Sequence, residues 1–359
     1  MLPVSKSVEI ILANQDESGA YVACPEFPTY EYCWFRDGSF IAYAMLEAGE
    51  VDSAYRFLCW CSGALLAREA DISALEGKLS RGEATGPMDF LPARYALDGT
   101  LRRDDWPNFQ IDGYGAWLWC LAAWHRVRGE VPLAPEFRQA DVLCVRYLSR
   151  VWKMPNYDCW EEFGDRVHVS TLACVFGGLE AIDALAPDLG AGLVAAEVRA
   201  FVRASVLPVG RFPKYLGSTA VDASLLWLAL PFGLVAPGDP AFHATVLRIE
   251  ETLLREGGVK RYAEDSYYGG GQWIILSAWL GWLYAETGRV EEAEAMLSWV
   301  QSAADREGRL PEQVARNLND PSFLRVWEAR WGASASPLLW SHAMHIVLAG
   351  AIGKRRRAH

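Results

Sequence analysis

The chain lacks the features that mark membrane-spanning and secreted proteins. Its longest strongly apolar run, residues 273–285, is shorter than the roughly 20 residues that a helix needs to cross a bilayer. The first residues show neither the long apolar stretch nor the small-residue cleavage site of a signal peptide, because Glu9 interrupts their one apolar patch. These absences predict a cytoplasmic protein without a membrane partner.

Basic residues are also scarce. The 359 residues include 34 lysines and arginines against 45 aspartates and glutamates, which gives a formal charge of −11. Nucleic-acid-binding proteins draw their affinity from clustered basic side chains, so we expect no nucleic-acid partner. The one dense basic run lies at 354–357, and we expect residues 354–359 to form a basic, flexible tail.

Patterns for metal ions, disulfides and nucleotides are missing as well. The eight cysteines all lie in the first half of the chain, without a Cys-x-x-Cys pair or neighbouring histidines that would complete a zinc site. With a cytoplasmic location expected, this pattern favours free thiols. The glycines at 269–271 lack the following Lys-Ser/Thr of a phosphate-binding loop, so we expect neither a metal nor a cofactor.

Tryptophan, by contrast, is abundant. The 16 tryptophans outnumber the 14 phenylalanines and the 14 tyrosines, while 52% of all residues are hydrophobic and 22% are charged. High hydrophobicity with few charges indicates a folded globular protein. Tryptophan buries a large area in helical cores, and its flat face also stacks on sugar rings. Composition alone is compatible with both uses.

A unit of about 60 residues recurs six times, as a polar, aromatic-rich loop, an apolar helix, a short turn and an amphipathic helix. Residues 273–285 are apolar on all sides, as a helix enclosed by others requires, whereas residues 289–301 carry one apolar stripe. Alternating strand patterns are few. The sequence therefore predicts an all-α fold, an (α/α)6 barrel, with residues 1–359 in a single domain. The inner helices are predicted to begin near Ser39, Gly113, Ser170, Ala223, Trp273 and Leu339.

In such a double ring the loops that lead into the inner helices gather at one end, so we expect the chemistry there. The first loop, residues 30–38, sets Arg36 beside Asp37, a donor and an acceptor for neighbouring sugar hydroxyls, with Trp34 as an apolar wall. A surface ion pair at a helix N-terminus explains the same residues. The second loop, residues 106–113, is equally compatible with an N-cap and a packed aromatic side chain.

Three later loops carry acidic residues. The third, residues 157–162, sets two glutamates beside Trp160. Adjacent carboxylates repel each other, and a neighbouring indole keeps water away from the carboxyl group. Both effects raise the pKa of a carboxyl group, as a general acid requires. The fifth, residues 261–273, is polar and aromatic, and the sixth, residues 308–313, carries Glu312. Solvated acidic residues and ordinary turns are the alternative interpretations of these loops.

Taken in order, six segments resemble glycoside hydrolase family 15, the glucoamylase family. Each segment is weak evidence alone, but six in the family's order are specific, and they span most of the chain. The resemblance implies an (α/α)6 catalytic barrel, in agreement with the six helix pairs. The segments are Tyr-x-Tyr-x-Trp-x-Arg-Asp at 30–37, Trp-x-x-x-Gln-x-Asp-Gly at 106–113, Asp-x-Trp-Glu-Glu at 158–162, Arg-Tyr-x-Glu-Asp-x-Tyr-Tyr at 261–268, Pro-Glu-Gln at 311–313 and Pro-Leu-x-Trp-Ser at 337–341.

The resemblance implies catalytic roles for two glutamates. Glu161 is expected to protonate the glycosidic oxygen as the general acid, and Glu312 to activate water on the opposite face as the general base. In an inverting enzyme the two carboxyl groups lie about 6.5–9.5 Å apart, and an α-glucoside releases β-glucose. The two pKa values are expected to differ, so that one carboxyl stays protonated near neutrality.

The resemblance also implies how a terminal glucose is bound. Arg36 and Asp37 match the pair that holds its far hydroxyls and closes the pocket, which makes the attack exo-acting. Tyr30 and Gln313 are expected near the base and its water, and Glu162 near the leaving sugar. The other predicted substrate-binding residues are the aromatic walls Trp34, Trp106, Trp160 and Trp273, a second sugar-binding arginine, Arg261, and Gln110 and Asp112, for which a supporting role in the second loop is an equal alternative.

The substrate is expected to be a small oligosaccharide, because the chain leaves no room for the β-sandwich or starch-binding domains of many family members. Its first loop and its length look most like members that hydrolyse isomaltose and other α-1,6 glucosides. Glucoamylase-type α-1,4 activity and trehalase activity are the alternatives. Two alternatives belong to other functional classes. One is a non-catalytic oligosaccharide-binding barrel. The other is a prenyl-type cyclase, which needs a denser acidic cluster than Asp104 and Asp105 provide.

Overall fold

The structure, a computed structural model, describes residues 2–101, 105–129 and 133–358, with side chains up to residue 357. Asp104, on which the cyclase interpretation depends, lies outside these residues. The described α-helices are α1 Val4–Ala13, α2 Phe35–Glu47, α3 Val51–Leu66, α4 Glu69–Ser80, α5 Asp112–Arg128, α6 Arg138–Val151, α7 Val169–Asp183, α8 Ala191–Ala204, α9 Pro240–Leu253, α10 Ile274–Glu286, α11 Val290–Ser302, α12 Pro321–Trp331 and α13 Leu339–Ala358.

The strands are short and join the loops at one end of the molecule. All pairs are antiparallel, and they form one two-stranded sheet, β1-β2, and one four-stranded sheet in the order β3-β4-β5-β6. Within the second sheet Trp273 lies opposite Gln313, which ties the fifth loop to the sixth. The strands are β1 Cys33–Trp34, β2 Arg94–Tyr95, β3 Leu254–Arg255, β4 Gly258–Val259, β5 Gln272–Trp273 and β6 Gln313–Val314.

The helices form two concentric rings. The inner ring runs through α2, α5, α7, a short 3-10 helix at Ala223–Leu228, α10 and α13, and it closes because α13 packs against α2. Each inner element has an outer partner, in the same order α3, α6, α8, α9, α11 and α1. The predicted all-α fold, an (α/α)6 barrel, is confirmed.

All six inner elements begin within four residues of the predicted positions, but the fourth differs in length. Ala223–Leu228 is only a six-residue 3-10 helix, where the sequence predicts a full inner helix. Pro231 follows three residues later and has no N–H to continue the helix, so the chain turns outward there. The inner ring is therefore shallow on this side.

The barrel axis is filled with aromatic rings. The Phe40 ring centroid lies 5.6 Å from that of Trp119, 5.5 Å from that of Trp227 and 5.4 Å from that of Trp340. Side chains from different inner helices thus meet in one aromatic cluster, which accounts for part of the tryptophan excess.

Helices α5 and α7 approach each other backbone to backbone. A Cβ atom on Gly115 would lie 2.4 Å from the carbonyl oxygen of Cys174, and one on Gly178 would lie 2.2 Å from the carbonyl oxygen of Gly115. Only glycine fits at these two positions. The loops that precede the two helices are held close together as a result.

Two features differ from the expected six pairs. Helices α4 and α12 lie outside the double ring, and α12 packs against the segment Tyr267–Gly269. Residues 354–357, predicted as a flexible tail, instead continue α13, where all but the half-buried Arg355 are exposed. Ion pairs explain this order, since Lys354, Arg355 and Arg356 pair with Glu47, Glu286 and Glu294.

Candidate active site

A cavity of about 310 Å³ opens at the end of the barrel where the inner helices begin. The structure brings eleven of the fourteen predicted site residues to its wall, although they come from five separate loops. They are Tyr30, Trp34, Arg36, Asp37, Trp106, Trp160, Glu161, Glu162, Arg261, Trp273 and Glu312. Gln110, Asp112 and Gln313 are not on the wall.

Arg36 and Asp37 lie in the first turn of α2, where the positive end of the helix dipole favours the carboxylate. Both are nearly buried, with Arg36 Nε 3.2 Å from Asp37 Oδ2. Burial raises the pKa of Asp37 to about 6, although the neighbouring guanidinium opposes the shift. Arg36 Nε and Asp37 Oδ2 are both buried, and within the described part of the chain they face each other across this ion pair without a hydrogen bond to another residue.

Gln110 and Asp112 lie behind Arg36. The Arg36 Nη1 group donates to Gln110 Oε1 at 2.8 Å and lies 3.3 Å from Asp112 Oδ2. The amide of Gln110 also donates to Glu161 Oε1 at 3.2 Å. Their geometry is that of supports for Arg36 and Glu161, the second of the two roles that the sequence leaves open.

Glu161 occupies an unusual backbone position. Its φ angle of 66° is in the left-handed region, which is rare for a residue other than glycine and is concentrated at functional sites. The side chain is partly exposed, and its Oε1 atom accepts hydrogen bonds from Trp34 Nε1 at 2.7 Å and from Gln110. The carboxyl group is thereby held against the tryptophan of the first loop.

Glu162 contacts the fifth loop. Its carboxylate lies 3.3 Å from Arg261 Nη2 and accepts a hydrogen bond from the Tyr262 hydroxyl. Arg261 is almost fully buried and also pairs with Asp265. Adjacent glutamates of the third loop therefore have different partners, and only Glu162 is bound to a cation in this way.

Glu312 is buried, with 4% of its surface exposed. Its Oε1 atom accepts a hydrogen bond of 3.0 Å from the Tyr30 hydroxyl, and the Tyr267 hydroxyl lies 3.1 Å from that of Tyr30. Among the described residues, Oε2 has no partner. Burial raises the pKa of Glu312 to about 8, while the Tyr30 hydrogen bond and the charge of Arg261 favour the ionised form.

Gln313, the next residue, is in β6 and faces Trp273 across the sheet. Its side chain is buried and does not reach the cavity wall. Its position near the base and the water of the base stays a prediction.

Several wall residues were not predicted from the sequence. Trp340 belongs to the Pro-Leu-x-Trp-Ser segment and Tyr267 to the fifth loop, so both motifs contained enough information to find them. Trp327, Arg330 and Trp331 come from α12, which carries no recognisable motif. This helix forms the part of the wall that lies outside the double ring.

The structure shows neither a metal cluster nor a membrane span in the residues it describes. No group of three or more His, Cys, Asp or Glu side chains could hold a metal ion there. No helix in that part of the chain is long and apolar enough to cross a bilayer. All eight cysteines are free thiols.

Comparisons with known proteins point the same way as the site. The family model described as glycosyl hydrolases family 15 matches residues 5–350. An isomaltose glucohydrolase of Kribbella flavida is 43% identical over 96% of this chain and 91% of its own length. A solved variant of a glycosidase in complex with glucose is 41% identical, with a TM-score of 0.94 over 98% of this chain and 96% of that one.

A bacterial glucoamylase complexed with acarbose is more distant and shows likeness of fold alone. It is 18% identical, with a TM-score of 0.78 over 97% of this chain and 55% of that one. Since the family model covers nearly the whole barrel together with all of its site loops, the chain belongs to glycosyl hydrolases family 15.

Proposed function

We propose that the protein is an inverting, exo-acting α-glucosidase that releases β-glucose from the non-reducing end of short α-glucosides, preferably isomaltose. The observation that carries this proposal is the position of Glu161 and Glu312 on one small cavity with unlike surroundings. Inverting hydrolysis needs two such carboxyl groups, one to give a proton and one to take a proton from water.

Glu161 is proposed as the general acid. It is partly exposed at the cavity, so it can regain a proton from solvent after each turnover. The hydrogen bonds from Trp34 and Gln110 both end on Oε1, which leaves Oε2 to carry the proton towards the glycosidic oxygen. In the reaction this proton passes to the leaving sugar as the bond to the anomeric carbon breaks.

Glu312 is proposed as the general base. Its unpartnered Oε2 atom is the acceptor that a nucleophilic water needs, and Tyr30 stabilises the carboxylate through Oε1. A water that donates to Oε2 supplies part of the solvation that burial removes, and so favours the ionised form. The water proton passes to Glu312 as the oxygen attacks the anomeric carbon.

The other wall residues are proposed to hold the terminal glucose. Arg36 and Asp37 offer a donor and an acceptor to its hydroxyls, while Trp34, Trp106, Trp160 and Trp273 supply aromatic faces. Arg261 and Glu162 are proposed to act near the leaving sugar. A volume of about 310 Å³ is at the small end of ligand pockets, which favours short substrates.

The α-1,6 preference rests on the relative from Kribbella flavida, whose name is isomaltose glucohydrolase. Initial rates on isomaltose, maltose, trehalose and panose test it directly. We expect isomaltose to give the highest kcat/KM. A preference for maltose or trehalose would change the proposed substrate but not the proposed mechanism. If none of the four sugars is hydrolysed, a non-catalytic sugar-binding barrel is favoured instead.

The stereochemistry has its own test. Proton NMR in the first minutes of isomaltose hydrolysis is expected to show the β-anomer of the released glucose, before mutarotation mixes the two anomers. Initial release of the α-anomer would overturn the inverting mechanism.

We further propose that the barrel is a single catalytic domain, because its ring closes between α13 and α2. Cytoplasmic residence is proposed from the eight free thiols, since disulfides are rare in reducing compartments.

A further inference from the structure

The backbone on both sides of Glu161 is held by one buried carboxylate. Asp158 Oδ1 accepts hydrogen bonds from the backbone N–H groups of Trp160 at 3.0 Å and of Glu162 at 2.9 Å. The N–H of Glu161 itself donates to the carbonyl oxygen of Asp158 at 2.9 Å. The left-handed conformation of Glu161 costs free energy, and these bonds are what maintain it.

A buried lysine lies behind this carboxylate. It belongs to the fourth loop, the segment between α8 and the 3-10 helix Ala223–Leu228. Lys214 is 4% exposed, and its Nζ atom lies 3.0 Å from Asp222 Oδ2 and 3.8 Å from Asp158 Oδ2. The ammonium group also lies 3.2 Å from the centroid of the Tyr262 ring. A lysine is rarely buried unless its charge is paired, and here one cation bridges two buried carboxylates.

The second of these carboxylates holds Trp160. The indole Nε1 of Trp160 donates to both carboxylate oxygens of Asp222, at 3.1 and 3.0 Å. Asp222 also caps the short inner helix through the N–H of Ser224 at 2.8 Å. The side chain before Glu161 is therefore fixed to the fourth inner element, which is also where Lys214 pairs.

We propose that Lys214 is a positioning residue for the general acid, which it aligns through Asp158 and Asp222 without touching the cavity. Its ammonium group holds the two buried carboxylates close together, and they in turn hold the backbone around Glu161 and the indole of Trp160. The inference rests on the proposed acid role of Glu161. It concerns residues of the fourth loop, which has no place on the cavity wall.

The physical reason is the cost of removing the cation. Without Lys214, Asp158 and Asp222 are two buried carboxylates with no cation between them, so one of them takes up a proton or moves away. Either change weakens the bonds that hold Glu161 in its left-handed conformation. Misplacement of about 1 Å is enough to impair proton transfer to the leaving group.

The test compares two substrates that differ in their need for an acid. Isomaltose must receive a proton on its glycosidic oxygen, whereas α-glucosyl fluoride releases fluoride without one, and in both cases water attacks with Glu312 as the base. We expect Lys214→Met to lower kcat on isomaltose at least about 30-fold, but on α-glucosyl fluoride less than about 5-fold. A general structural defect would lower both rates equally.

Three further variants complete the test. Glu161→Gln is expected to show the same selective loss, and the double variant Glu161→Gln/Lys214→Met no further loss, because the two residues act on one step. Lys260→Met is a matched control, since Lys260 is a buried lysine that bonds Asn319 rather than the third loop. Any loss in this control should be equal on the two substrates.

The outcomes separate the two proposals. If Glu161→Gln shows no selectivity for isomaltose, the acid role of Glu161 fails, and with it the premise. If Glu161→Gln is selective but Lys214→Met lowers both rates equally or neither, the positioning role alone is overturned. Should Lys214→Met not fold, as judged by circular dichroism, Asp222→Asn takes its place with the same expected selectivity and the same contrary outcome.

Discussion

The two carboxyl groups of the site have opposite surroundings. Glu161 is partly exposed on a left-handed turn and accepts two hydrogen bonds on one oxygen. Glu312 is buried beside a strand and accepts one bond from Tyr30, while its second oxygen has no partner among the described residues. The difference is in keeping with the two proposed roles, because Glu161 is reached by solvent whereas burial raises the pKa of Glu312.

The largest effect on the reaction is expected when either carboxyl group is replaced by an uncharged amide. Glu161→Gln and Glu312→Gln are each expected to lower kcat/KM for isomaltose by about 10²–10⁴-fold, the usual contribution of a general acid or base. Steady-state kinetics measures the effect, and circular dichroism checks that the fold is intact. Near-normal activity of either variant would remove that residue from its role.

Stability against pH tests the dehydration of Glu312. Because its pKa is raised to about 8 in the folded protein, ionisation destabilises the fold as the pH rises from about 5 to about 8. The Glu312→Gln variant has no carboxyl group to ionise at this position and therefore does not lose this stability. Relative to the wild type, the variant is therefore expected to gain free energy of unfolding over that range, by about 1–4 kcal/mol.

Urea unfolding of both proteins at pH 5 and pH 8 measures this difference. Glu291→Gln, at an exposed position on α11, is the control and should show no comparable gain. A pH-independent difference between Glu312→Gln and the wild type would show that the Glu312 carboxyl titrates as it does in the unfolded chain.

The hydrogen-bond donors offer a smaller perturbation. Tyr30→Phe removes the one bond to Glu312, and Trp34→Phe removes one of two bonds to Glu161. A hydrogen bond to a charged group is worth about 1.5–3 kcal/mol, so we expect kcat to fall about 10–100-fold in Tyr30→Phe and less in Trp34→Phe. A larger loss of kcat in Trp34→Phe than in Tyr30→Phe, measured at saturating isomaltose, would contradict this order.

The wall contributed by α12 supplies a baseline, because it contacts neither carboxyl group. Trp327→Ala is expected to raise KM for isomaltose about 3- to 10-fold with little change in kcat, since the lost aromatic face stacks on a sugar without meeting the reacting atoms. Kinetics on α-glucosyl fluoride, which has no second sugar, should show a smaller effect. A fall in kcat alone would contradict this assignment.

The sequence predicts those wall residues that come from the loops before the inner helices of the double ring. Arg36, Glu161 and Glu312 occur in loops that precede inner helices or strands, and the closure of the ring brings such loops to one cavity. Loop position and residue chemistry single out these loops, although alternatives stay open for each, and the resemblance to the family selects the individual wall residues. Their exact roles still depend on the resemblance to the family.

What the sequence does not predict depends on contacts between distant segments. Lys214 and Asp222 occur in the fourth loop, where no motif distinguishes a buried ion pair from solvated charges. Helix α12 is amphipathic in an ordinary way, with no fully buried residue, so its position beside the cavity follows from packing on Tyr267–Gly269 alone. Gln313 lies off the cavity wall, in a strand pairing of only two residues that no sequence pattern marks.

The contact between α1 and α13 joins segments from opposite ends of the barrel sequence, which affects when the barrel can close during synthesis. Helix α1 is the outer partner of α13, and Ser7 bonds both His342 and His345 at 2.9 Å. Because α1 precedes α13 by more than 300 residues, α1 leaves the ribosome long before its partner does, and Trp340 reaches the cavity only with α13. The nascent chain is thus expected to be inactive, with an open ring, until α13 has been made and packs against α1 and α2.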